Sequence, residues 1–274
     1  MSSQQLPRRV TSYVAITFGW TWGLLGAAWL SGADAGEAPT TWLRLVAGLG
    51  PVVAAGALLL ITSDSDDRRW FWHRVVDARG VGPGWWGVIS IVAAGPAIAV
   101  WLAGDRRLGI EEPSAILVMI GFAVAAGLVE EPGWRGYMLD GLRRRPLAAS
   151  ALISVVWAAW HLPLFTIVGT FQHDEGGLGT SMFWIFMSAL VPQTILMIWI
   201  VEHSGRSILP AVVFHALTNI SGELLDLSMS QQFGRLAIWA ALATPIVILW
   251  LRKLRARDPS TTDRADDPIL SIRQ

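Results

Sequence analysis

The amino-acid sequence predicts an all-α, polytopic integral membrane protein of about eight transmembrane helices around an intramembrane polar cavity. Of its 274 residues, 53% are hydrophobic and only 15% charged, which is more apolar than an ordinary soluble domain. The apolar residues gather in runs close to the ~20 that cross a bilayer as a helix. Several of those runs carry carboxylate, imidazole or amide side chains, which are costly in hydrocarbon and mark functional interiors. One integral membrane domain over residues 1–257 accounts for the length, and the polar, charge-mixed stretch 258–274 reads as a disordered cytoplasmic tail.

Taken in order, the runs lie at about 11–32, 42–62, 84–104, 114–139, 147–170, 180–203, 207–221 and 233–251. The first follows Arg8 and Arg9 and ends near Ala33-Asp34-Ala35, like a signal peptide with a small-residue cleavage site, but its apolar part is longer than a signal core and favours a retained span. The connection 63–83, with Ser63-Asp64-Ser65-Asp66-Asp67 ahead of Arg68 and Arg69, reads as a solvated link with an interfacial turn at Trp70, Phe71 and Trp72. Leu139-Asp140-Gly141 reads as a helix end at the cytoplasmic surface. The seventh run is short. The sixteen tryptophans suit interfacial belts and helix packing, because an indole is amphipathic.

Arginine placement sets the orientation, since short cytoplasmic loops are enriched in positive charge. Arg8 and Arg9, then Arg68, Arg69, Arg74 and Arg79, then Arg143, Arg144 and Arg145, then Arg206, and finally Arg252, Lys253, Arg255 and Arg257 fall on one side. The other side holds Arg106, Arg107 and, in the seventh connection, Arg235. The expected location is the plasma membrane, multi-pass, with both termini cytoplasmic and the lipid bilayer as a standing partner. Net charge is zero, and no basic block interleaved with aromatics suggests nucleic acid. With no cysteine, disulfides, thiolate metal sites and a cysteine nucleophile are excluded.

The stretch Leu128-Val129-Glu130-Glu131-Pro132-Gly133-Trp134-Arg135 closes a run without charges. On a helix Glu131 and Arg135, four apart, share a face and can pair. Glu130 points roughly 100° away and has no local partner. Pro132 removes a donor and frees the carbonyl of Leu128, a break tolerated at membrane depth only beside protein or a water-filled cavity. His161 lies in the fifth run; His215 and Asn219, four apart, lie in the seventh. Counted from the arginine-rich ends, Glu130, His161 and His215 lie roughly 12–21 Å deep at ~1.5 Å per residue, close enough in height to share one cavity. His73, His173 and His203 fall in connections or at span ends and read as surface residues.

A carboxylate beside histidine and water can act as a general base in hydrolysis, and His215 with Asn219 can donate to a developing oxyanion. A peptide would then arrive from the membrane or its cytoplasmic face. The signatures of other intramembrane hydrolases, His-Glu-x-x-His, Gly-x-Ser-Gly and Gly-x-Gly-Asp, are absent.

Glu130-Glu131-x-x-x-Arg135, Trp157-x-x-x-His161 and His215-x-x-x-Asn219, in that order over residues 115–222, resemble the CPBP family of CAAX proteases and bacteriocin-processing enzymes, also called the type II CAAX prenyl endopeptidase or Abi family. Trp157 stands where phenylalanine is common. The resemblance implies an eight-helix membrane endopeptidase in which Glu130 and His161 activate water, His215 and Asn219 stabilise the oxyanion, and Glu131 with Arg135 supports them. The substrate would be a membrane-associated protein or peptide, with or without a prenyl group. No cofactor is required on this reading; the alternative is one zinc ion at Glu130, His161 and His215. A non-enzymatic immunity or scaffold protein that binds a peptide or a membrane partner is the other functional class.

Overall fold

Each predicted apolar run is helical in the computed structural model, which describes residues 5–256. The helices are α1 (Gln5–Ser31), α2 (Thr40–Ala47), α3 (Gly50–Thr62), α4 (Ser65–Val76), α5 (Pro83–Leu102), α6 (Pro113–Glu131), α7 (Leu139–Leu142), α8 (Pro146–His161), α9 (Phe171–Asp174), α10 (Ser181–His203), α11 (Leu209–Leu224) and α12 (Met229–Arg255). A π-helical segment, Pro132–Met138, joins α6 to α7, and a 3-10 turn, Leu162–Thr166, extends α8. Two short antiparallel strands, β1 (Arg107–Leu108) and β2 (Leu225–Asp226), clip the connection after α5 to the end of α11. The protein is an all-α, multi-pass membrane protein.

Six of these helical stretches are long and apolar enough to cross a membrane. The second run is instead a pair, α2 and α3, bent by 46°, because Gly48 and Gly50-Pro51 interrupt it. The seventh, α11, has 16 residues, about 24 Å at 1.5 Å per residue against a hydrocarbon layer of about 30 Å. It is enclosed by other helices rather than by lipid: Ala211, Val212, Phe214 and His215 are all buried. The eight predicted spans are therefore eight helical elements of unequal reach. The proposed tail 258–274 lies outside the described residues.

Large apolar side chains remain on the outside, among them Leu30, Ile61, Ile91, Leu117, Val155 and Trp184. In water such a surface would aggregate; in a bilayer it is solvated. Small residues bring the helices together inside, as membrane packing requires. A Cβ at Gly127 would stand 2.8 Å from the Val212 carbonyl, and one at Gly133 would stand 2.8 Å from the Pro51 carbonyl, so α6 meets α11, and the π segment meets α3, at backbone distance.

Two expectations fail. The connection 63–83 is not a solvated link, because α4 folds there, capped by Asp64 accepting from the amides of Asp66 and Asp67, and buries Phe71 and Arg74. Arg235 does not lie in a connection either; it sits inside α12 and is 8% exposed.

Candidate active site

The site begins where Pro132 breaks the regular helix. Proline cannot donate to the carbonyl four residues back, and the chain absorbs the loss by widening into π turns rather than by opening. Such π segments recur at functional sites because they re-aim side chains without ending the helix. Every residue from Glu130 to Leu139 is buried.

Glu131 and Arg135 pair as their spacing requires, Nη1 to Oε1 at 3.1 Å, both fully buried. The same Oε1 accepts from His215 Nδ1 at 2.7 Å. Arg135 also donates through Nη2 to Thr194 Oγ1 on α10 at 3.1 Å, and its guanidinium lies over the Trp157 ring, 4.0 Å from the centroid. Glu131 thus joins α6 to α11, and Arg135 joins the π segment to α8 and α10.

Glu130 has no partner on its own helix but finds one on α8: Trp157 Nε1 donates to Oε2 at 2.8 Å. The Trp157 ring also lies edge-on to both imidazoles, 5.7 Å from each of His161 and His215. His161 Nδ1 donates to the Trp157 carbonyl at 2.8 Å. A carbonyl only accepts, so the proton of a neutral His161 is on Nδ1 and its Nε2 keeps a lone pair. Phe186 and Trp160 pack edge-on against the same ring.

Glu130, His161, His215 and Asn219 all line one cavity of about 270 Å³, with Trp157, Gln193 and Arg235 among its other walls. Glu131 and Arg135 lie behind that wall and hold His215. The remaining histidines, His73, His173 and His203, are outside it. The cavity runs from mid-depth toward the bundle end that carries the 167–180 and 225–228 connections, since its walls include Gln172, Met182, Gly222 and Gln232. Arg143, Arg144 and Arg145 lie at the opposite end, between α7 and α8.

Sequence reasoning missed three participants. Thr194 and Gln193 come from an apolar helix with no motif, and Arg235 was assigned to a connection. For Trp157 only its position in a motif was read, not its N–H. Among the described residues, no three His, Asp or Glu side chains are grouped to hold a metal ion.

The same segment carries the similarity to known proteins. Residues 112–221 match the family described as type II CAAX prenyl endopeptidase Rce1-like. This segment is of the CPBP family. The chain is also 29% identical over 128 residues to the CAAX prenyl protease 2 of Methanococcus maripaludis, a match covering 45% of this chain and 46% of the relative. It therefore spans less than half the length of the curated relative. The CPBP segment runs from the start of α6 through most of α11, and every residue of the Glu130, Glu131, Arg135, His161, His215 and Asn219 set lies inside it.

Proposed function

We propose that this protein is an intramembrane endopeptidase that hydrolyses peptide bonds of membrane-associated proteins or peptides. The observation that carries the reading is the convergence of Glu130, His161, His215 and Asn219 on one cavity. Glu130, oriented by the Trp157 N–H, takes a proton from water. The His161 Nε2 lone pair accepts the water's second hydrogen bond and fixes its direction. The resulting hydroxide attacks the scissile carbonyl carbon, and the proton on Glu130 passes to the departing amine.

The oxyanion then needs donors. Asn219 supplies an amide N–H, and His215 supplies a second if its ring is protonated at both nitrogens. In that state Glu130 and Glu131 are balanced by Arg135 and His215, and a neutral set of four charges is what a low-dielectric site favours. Glu131, Arg135 and Trp157 are positioning residues in this scheme. The scheme needs no metal; complete loss of activity on exhaustive chelation, restored by zinc, would overturn that part.

The substrates we propose are carboxy-terminal segments of membrane-associated proteins, with or without a prenyl group, and the setting is the plasma membrane with both termini and the arginine-rich connections cytoplasmic. The test compares purified wild type and Glu130→Gln on farnesylated and unmodified peptides ending in Cys-aliphatic-aliphatic-x. Loss of the general base should lower cleavage by about 10²–10⁴-fold at unchanged thermal stability. Equal cleavage by both would remove Glu130 as the base, and no cleavage by wild type would leave a binding role, as in an immunity or scaffold protein.

A further inference from the structure

The cavity contains a second charged group that the proposed hydrolysis does not use. Arg235 is 8% exposed and lines the cavity wall. Its Nη2 donates to the Thr218 carbonyl at 2.8 Å, and its guanidinium lies over Trp239, 4.4 Å from the ring centroid. Nε has no hydrogen-bond partner. Among the described residues no carboxylate forms an ion pair with it; Glu223 lines the same cavity and is exposed.

Arg135 makes the comparison direct. Both guanidiniums are buried and both lie over a tryptophan, but Arg135 has Glu131 as a bidentate-capable anion and a hydroxyl besides. Arg235 has one neutral carbonyl. A cation held in a low-dielectric wall without an anion is unfavourable until one arrives, and a guanidinium's planar fork matches a carboxylate. The room for it is the cavity of about 270 Å³ that Arg235 lines; on its α11 side the guanidinium is packed against Gly222, where a Cβ would stand 2.9 Å from Nη1.

We infer that Arg235 is the carboxylate-binding group of the cavity and holds the terminal α-carboxylate of a peptide. The level at which this α12 residue meets α11 sets the register of the cut. Arg235 contacts α11 between Thr218 and Gly222, three to seven residues beyond His215, or roughly 4.5–10.5 Å along the axis at 1.5 Å per residue. An extended chain advances ~3.3–3.6 Å per residue, so about one to three residues separate the bond at His215 from the terminus. The register rests on the hydrolase reading; the carboxylate site does not.

The experiment measures binding by calorimetry to the full-length protein in lipid nanodiscs. The probes are N-acetyl-Val-Leu-Ser as free acid, the same peptide as its C-terminal amide, and N-acetyl-Glu-Leu-Ser amide, which moves the carboxylate to a side chain. Wild type should bind the free acid about tenfold or more tighter than either amide, in keeping with a charge-assisted pair. Arg235→Gln should bind all three alike, Arg235→Lys should keep part of the preference, and Gly222→Ala, which crowds the fork without removing the charge, should weaken it. Wild type showing no preference for the acid, through equal binding or none, overturns the inference without recourse to any variant. So does a preference that survives in Arg235→Gln, and equal binding of the Glu peptide overturns the assignment to the chain terminus. Glu130→Gln should keep the preference; acid-selective binding by a wild type that cuts no peptide would sink the hydrolase reading and leave this one standing.

Discussion

Trp157 is the side chain on which the others depend. It donates to Glu130, lends its face to Arg135 and packs edge-on to His161 and His215. Phenylalanine would keep the ring and its packing but lose the N–H, so Trp157→Phe isolates one hydrogen bond to a buried carboxylate. Bonds to charged groups contribute about 1.5–3 kcal/mol, so kcat should fall by about tenfold or more with little change in KM, because the water rather than the peptide is misplaced. An unchanged kcat would remove Trp157 from the positioning set. The motif residues of the site could be read from sequence because carboxylate, imidazole and amide side chains stand out in apolar runs. The indole could not, since tryptophan is at home in a membrane helix whether or not its N–H is used. Thr194 was hidden for the same reason: a hydroxyl on a buried helix usually bonds its own backbone, and only the fold shows that this one serves Arg135 instead.

At the level of elements, the π segment with its Glu131, Arg135 and His215 bonds ties four helices together. Glu131→Gln keeps the shape but leaves Arg135 buried without an anion, and breaking a buried pair this way costs about 3–5 kcal/mol. The variant should unfold at clearly lower temperature and lose activity as well, since His215 keeps an amide oxygen as acceptor but loses the anion that favours its doubly protonated ring. A second clamp works at the other end of the bundle, where Asp140 on α7 accepts from Arg74 of α4 at 2.6 Å and from Arg206 at 2.9 Å, with Trp70 stacked beneath both guanidiniums. Asp140→Ala should destabilise by about 1–3 kcal/mol by leaving the buried Arg74 without a carboxylate, and limited proteolysis should cut faster within 63–83. Proline at 132 announced a lost hydrogen bond, but whether the chain opens or widens depends on what packs around it, and that information lies in α1, α3 and α10. The α4 helix was legible in principle: Asp64 before Asp66 and Asp67 is an N-cap signal, outweighed in the reading by the charge of the stretch.

For the whole molecule, helix directions and arginine placement together decide from which side the cavity is reached. The alternating apolar runs made the bundle legible, while the break at Gly48–Gly50 and the enclosure of α11 were not, because hydropathy reports how apolar a segment is and not whether lipid or protein surrounds it. Sidedness follows from combining the two levels. Arg143, Arg144 and Arg145 and the cavity wall at Gln172 lie at opposite ends of α8 and its extension, so if the arginines are cytoplasmic the mouth faces the other compartment. The absence of cysteine makes the point measurable, since any single cysteine becomes a unique label. In intact cells Gln172→Cys should react with a membrane-impermeant maleimide, and Arg144→Cys should react only after permeabilisation. A peptide ligand that fills the cavity should slow labelling at residue 172 and leave residue 144 unaffected. Labelling in the reverse order would put the cavity mouth on the cytoplasmic side and overturn the orientation, while leaving the chemistry at Glu130 intact, because nothing in the hydrogen-bonded set depends on which compartment supplies the substrate.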